Sequence, residues 1–119
     1  MDQRPVDRVH IAPLEEIVDR NQVWPRVAAK YGVENPVPPW KTSLDGLCDA
    51  LDKADSGPGI LPFKERRDEE DALSAGVYAG LPYPESQLLA LAHSLVARGV
   101  IDEVELRRRM TSIRARLEA

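Results

Sequence analysis

The chain has 119 residues, a formal net charge of -4 and 30% charged residues. That length suggests one domain, and the acidic balance gives no bulk electrostatic pull toward nucleic acid. A single cysteine, Cys48, rules out an internal disulfide and fits a reducing compartment.

The first 20 residues carry no apolar run, so no secretory leader is expected. No stretch approaches the roughly 18 apolar residues that a membrane span requires. The default location is the cytoplasm. Six of the ten prolines lie in the first 40 residues. Proline removes a backbone donor and interrupts helices, so residues 1–40 read as an extended, proline-rich arm with short helical pieces. Such an arm needs another surface to lie on.

Within it, residues 14–20 suit a short helix. Trp24 to Tyr31 suit a second, closed by Gly32. Residues 34–40, "ENPVPPW", are expected to be extended, because a residue before proline avoids the helical region. Residues 41–119 form the second unit, a small helical domain. From Lys41 to Lys53 the spacing of Leu44, Leu47, Cys48 and Leu51 predicts a helix with one apolar face. Residues 54–59, "ADSGPG", are a loop. Pro62 suits the first turn of the next helix, which runs to about Ala75, and residues 76–82 break it.

Pro84 opens a helix carrying Leu88, Leu91, Ala92 and Leu95, with Leu89 and Val96 widening the stripe. Gly99 fits the left-handed position just past its end. Asp102 caps a last helix, with Glu105 three residues on as in a capping box. Leu106, Met110, Ile113 and Leu117 follow at spacings of four, three and four. The two helices read as an antiparallel helical hairpin. Nothing reads as paired strands, so the fold class is all-α.

Chemistry-bearing residues are sparse. Metal binding needs clustered ligands, and His10, His93 and Cys48 are far apart in sequence. Cys48 reads as a small apolar group and His93 as a histidine at the core edge. Asp45, Asp49 and Asp52 read as a solvated face. Arg107, Arg108, Arg109, Arg114 and Arg116 read as a basic solvated face or a subunit interface. No metal site is expected in this chain.

One stretch breaks a local rule. In "FKERRDEEDALSAGVYAGLPY" (63–83), Arg66 and Arg67 precede four acids, Asp68 to Asp71. Cations crowd the positive end of the helix and oppose its dipole. Pairing to Glu70 and Asp71 at i,i+4 contributes only about 0.3–0.5 kcal/mol, and less in this order. Arginine presents a planar fork suited to two oxygens of an oxyanion. Adjacent helix positions point roughly 100° apart, so the pair would grip separate oxygens.

"ERR" (65–67), "VYAGLPY" (77–83), "ESQLLALAHSLVARGVI" and "DEVELRRRM" together resemble the β subunit of the nitrile hydratase and thiocyanate hydrolase family. The resemblance spans about residues 36–117 and matches the N-terminal half of a nitrile hydratase β chain. In two-subunit members that chain continues into an SH3-like barrel. This sequence stops at Ala119, as expected of three-subunit members such as thiocyanate hydrolase and toyocamycin nitrile hydratase, where the barrel is a separate chain.

The resemblance implies a non-catalytic, β-type subunit of a heteromeric nitrile hydratase, which hydrates a nitrile to an amide. Its partners would be a catalytic, metal-binding α-type subunit and a separate barrel subunit, with no nucleic acid and no membrane. The cofactor, Co(III) or Fe(III), would lie in the α-type subunit, held by three cysteines and two backbone amides. Two of those cysteines are oxidised in the family. Arg66 and Arg67 would then hydrogen-bond the sulfur oxygens across the interface. Tyr78 and Tyr83 would lie at the same interface, Tyr83 toward the substrate cavity. The alternatives are a thiocyanate hydrolase β subunit and a nitrile hydratase activator or metallochaperone.

Overall fold

The computed structural model describes residues 6–53 and 61–118. The first residues of the arm and the 54–59 loop lie outside them. The described residues form six α-helices after a short 3-10 turn at Val6–Arg8, with no strand among them. The all-α expectation holds. The helices are α1 (Ala12–Asp19), α2 (Trp24–Tyr31), α3 (Lys41–Lys53), α4 (Phe63–Ala75), α5 (Glu85–Ala97) and α6 (Glu103–Glu118).

The punctuation residues act largely as their chemistry dictates. Gly32 closes α2 at φ 67° and Gly99 follows α5 at φ 79°, both in the region where a side chain is disfavoured. Pro62 sits one position earlier than expected, just ahead of α4 at ψ 156°. Its carbonyl accepts the Arg66 N–H at 2.9 Å. Asp102 caps α6 by accepting the Glu105 N–H at 2.9 Å. The capping box is only half made, because the Glu105 carboxylate turns to Arg108 and Arg109 instead.

Helix α5 is the centre of the molecule. Leu89, Ala90, Leu91, His93, Ser94 and Leu95 are all buried, so its covered surface is wider than one apolar stripe. A helix covered nearly all round belongs inside. One side joins Ile11, Leu14, Val23, Leu73, Tyr78 and Leu81 in the main core. The other joins Leu44 and Cys48 in a smaller core, and Leu88 packs against both. Helix α4 runs antiparallel to α5. Ser74 donates to the Ser86 carbonyl at one end, and Ser94 donates to Glu69 near the other. The small side chains Ser86, Ala90 and Ser94 recur every four residues, which lets the backbones approach. Helix α6 follows α5 across the Gly99 turn and packs against α1, with Leu106 against the main core.

Three expectations change. The closely packed antiparallel pair is α4 with α5, rather than the expected hairpin of α5 and α6, because α6 turns away after Gly99 and packs against α1. The segment read as an arm finds its surface within this chain: Ile11, Leu14 and Val23 are core residues. The apolar side chains between its prolines are sufficient to join the interior. In α3, Leu44 and Cys48 are buried, but Leu47 is 46% exposed. The helix covers the face that carries Leu44 and Cys48, with Leu51 partly buried beside them, and Leu47 falls outside that face.

Candidate interface site at the arginine pair

Helix α4 places Arg66 and Arg67 on different faces, as adjacent helical positions must be. Arg66 points inward and is only 2% exposed. Its guanidinium is ion-paired with Glu70, one turn on, and with Asp52 of α3. It also reaches the Cys48 carbonyl at 3.4 Å. Its Nε is buried without an acceptor among the described residues. Arg66 therefore fastens α4 to α3, and its fork is filled from inside the chain. Burial pushes the Glu70 carboxyl above its usual range even with Arg66 and Arg67 beside it.

Arg67 points outward. Its side chain is 44% exposed, and it donates to the second Asp52 oxygen at 3.3 Å. Its guanidinium carbon lies 5.2 Å from the centre of the Phe63 ring, a stacking distance for an arginine. Asp52 thus serves both arginines, one oxygen each. Read from sequence as part of a solvated aspartate face, Asp52 is 81% covered at its side chain. Its position carried a signal: it lies four residues past Cys48, on the row that α3 buries.

The two tyrosines separate. Tyr78 is 2% exposed and belongs to the main core. Its hydroxyl meets His93 Nδ1 at 2.7 Å, and His93 Nε2 meets the Val6 carbonyl at 2.7 Å. A carbonyl only accepts, so Nε2 carries a proton, and in the neutral imidazole the Tyr78 hydroxyl donates to Nδ1. Burial pushes the Tyr78 phenol above its ordinary range. Tyr78 is thus a packing residue in this chain, not a surface one, and His93 is fully internal. Tyr83 is 67% exposed, with the Lys41 ammonium 5.4 Å from its ring centre.

Arg67 and Tyr83 meet at a cleft of about 550 Å³ between α3, α4 and the start of α5. Its other walls include Asp45, Asp49, Asp52 and Asp71. Arg67 is the one guanidinium among the described lining residues. A free anion entering here meets more carboxylates than cations, and Arg67 is the one point of these walls that can receive an anionic group. Cys48 also borders the cleft. Burial pushes its thiol up, which keeps it protonated and a poor nucleophile. Among the described residues, no group of three or more His, Cys, Asp or Glu is placed to hold a metal ion. No helix among them is long and apolar enough to cross a membrane.

Compared with family models, with curated proteins and with solved structures, the chain finds no match.

Glu85 was not singled out from the sequence, yet it ties two helices together. It is 2% exposed, and its Oε1 accepts the Trp24 N–H at 2.8 Å. It caps α2 across the fold, where Val23 offers no side-chain cap. Trp24 in turn donates its indole N–H to the Asn35 carbonyl at 2.7 Å. Nothing in the local sequence announces a cap supplied from 61 residues away.

Proposed function

We propose that this chain is a non-catalytic, β-type subunit of a heteromeric nitrile hydratase. The observation that carries the reading is the pairing of Arg67 with Asp52 at the cleft. One guanidinium is held open to the outside by a carboxylate that is itself fixed by the buried Arg66. This refines the roles that the sequence resemblance implies. Arg67 faces the oxidised cysteine oxygens of the metal-binding partner. Arg66 acts through Asp52 as a positioning residue. Tyr83 stands at the cavity side, and Tyr78 supports the core.

The metal, Co(III) or Fe(III), belongs to the partner and supplies the polarisation of the nitrile or of water when bound. This chain's contribution is a charge-assisted hydrogen bond to its ligand set, which stabilises an oxidised sulfur. The carboxylate-rich walls favour a neutral nitrile over the thiocyanate anion as the substrate passing this cleft.

Coexpression with the gene products encoded beside this one, copurification, metal analysis and an assay on nitriles and thiocyanate test the reading. A stoichiometric complex with a cysteine-rich metal chain and hydration of nitriles is expected. Arg67→Lys should assemble normally and lose about 10–100-fold in activity, the range for residues that support metal ligands. Full activity in that variant removes the proposed role. Absence of the chain from the mature, active enzyme points to an activator instead.

A further inference from the structure

Helix α6 carries a second surface with a different chemistry. Its apolar row, Leu106, Met110, Ile113 and Leu117, follows the four-three-four spacing of a coiled-coil seam. The first half of the row is satisfied internally, since Leu106 packs on the main core and Met110 is half-buried. The second half is not: Ile113 is 46% and Leu117 81% exposed. Together with Pro13 of α1 these side chains line a groove of about 430 Å³.

The residues flanking the row decide what fits. In a coiled coil the positions on either side of the seam select the partner by charge. Here all four are arginine: Arg107 and Arg114 on one side, Arg109 and Arg116 on the other. Arg107 is engaged by Glu16 at 3.3 Å and Arg109 by Glu105 at 2.7 Å. Arg114 and Arg116 are exposed, and they flank the exposed half of the row. A second copy of α6 would oppose arginine with arginine whether it ran parallel or antiparallel. We propose that this groove takes an amphipathic helix of a different protein, apolar along one face and carrying Glu or Asp beside it. Its carboxylates pair with Arg114 and Arg116, and its apolar side chains cover Ile113 and Leu117. This proposal is independent of the enzyme assignment.

The test uses the full chain and two fluorescent synthetic helices of about three heptads. Both have Leu along the seam; one has Glu and the other Lys at the flanking positions. Fluorescence anisotropy should show the Glu helix binding at least about tenfold more tightly, with the difference shrinking at high salt as screening requires. Arg114→Glu with Arg116→Glu should reverse the preference, and Ile113→Asp should abolish binding. These side chains are exposed, so circular dichroism should be unchanged in the variants. Equal affinity for both helices overturns the proposal. So does sedimentation of the chain as a dimer that Ile113→Asp dissolves. Attachment to phosphatidylserine vesicles with no binding of the Glu helix also overturns it.

Discussion

Arg66 of α4 and Asp52 of α3 form an ion pair inside the protein, and that pair closes the seam between the two helices. The arginine is almost wholly covered and the aspartate mostly so. Two charges in such a place are held by their geometry with each other and with Glu70, since each would be costly to bury alone.

Removing one partner of this cluster leaves an uncompensated buried charge. Arg66→Leu is therefore expected to destabilise the fold by about 3–5 kcal/mol. Arg66→Lys keeps the charge but not the fork, and should lose about 1–3 kcal/mol as acceptors go unpaired. Arg67→Lys, on a half-exposed side chain, should stay within about 0.5 kcal/mol of wild type. Urea titration of the three variants checks the order. Equal losses at both positions would contradict the inward and outward placement.

Glu69 and Glu70 should respond to acid in opposite senses. Burial raises the Glu69 carboxyl, but hydrogen bonds from Arg98 and Ser94 outweigh it and hold it below its ordinary 4.5. A depressed carboxylate binds fewer protons folded than unfolded. Its contribution to stability is present above about 4.5 and is lost as pH falls through the lowered value. Glu70 is raised, so its contribution is present in acid and lost as pH rises through the raised value. Glu69→Gln should be less stable than wild type near neutrality, and the two curves should converge as the solution is acidified below 4.5. A constant gap across the acid range counts against the Arg98 pairing.

Tyr78 and His93 form a buried pair that anchors the Val6 carbonyl. Tyr78→Phe leaves Nδ1 of the imidazole without its donor and should cost about 1–3 kcal/mol. Combining it with His93→Leu should cost less than the sum, with a coupling of about 0.5–3 kcal/mol. Thermal unfolding of the singles and the double measures that coupling. Strict additivity would mean that the two side chains do not share a bond.

Glu85 holds the start of α2 from the far side of the fold. Glu85→Ala should cost about 1 kcal/mol, the usual value of a lost cap. Hydrogen exchange at Trp24 should accelerate more than in α4. Unchanged protection at Trp24 would show that α2 does not depend on this carboxylate.

The local reading of the chain reached most of the helices. Gly32, Gly99 and Asp102 act through their own backbone preferences or through a side chain within three residues, and they end or begin helices where the sequence places them. Lys41–Lys53 likewise matches its expected bounds, and Trp24–Tyr31 ends at its glycine. The second half of the capping box failed because Glu105 has nearby arginines to bond.

The candidate site was only partly legible. The sequence marked Arg66 and Arg67 as a pair against the helix dipole, but it could not say which one faces in. That is set by where α3 lies, and hence by Asp52, which is 14 residues from Arg66. Tyr78 and Tyr83 look alike in the string "VYAGLPY", yet one fills the core and the other flanks a cleft. By itself the sequence determined an all-helical chain, several of its helix ends and its odd charge order, because these follow from backbone preferences and spacing within a few residues. The tertiary structure alone decided which charges are buried, which arginine is presented and where Glu85 caps. Those depend on contacts between residues distant in the chain, where burial is what gives a charge its partner and its cost.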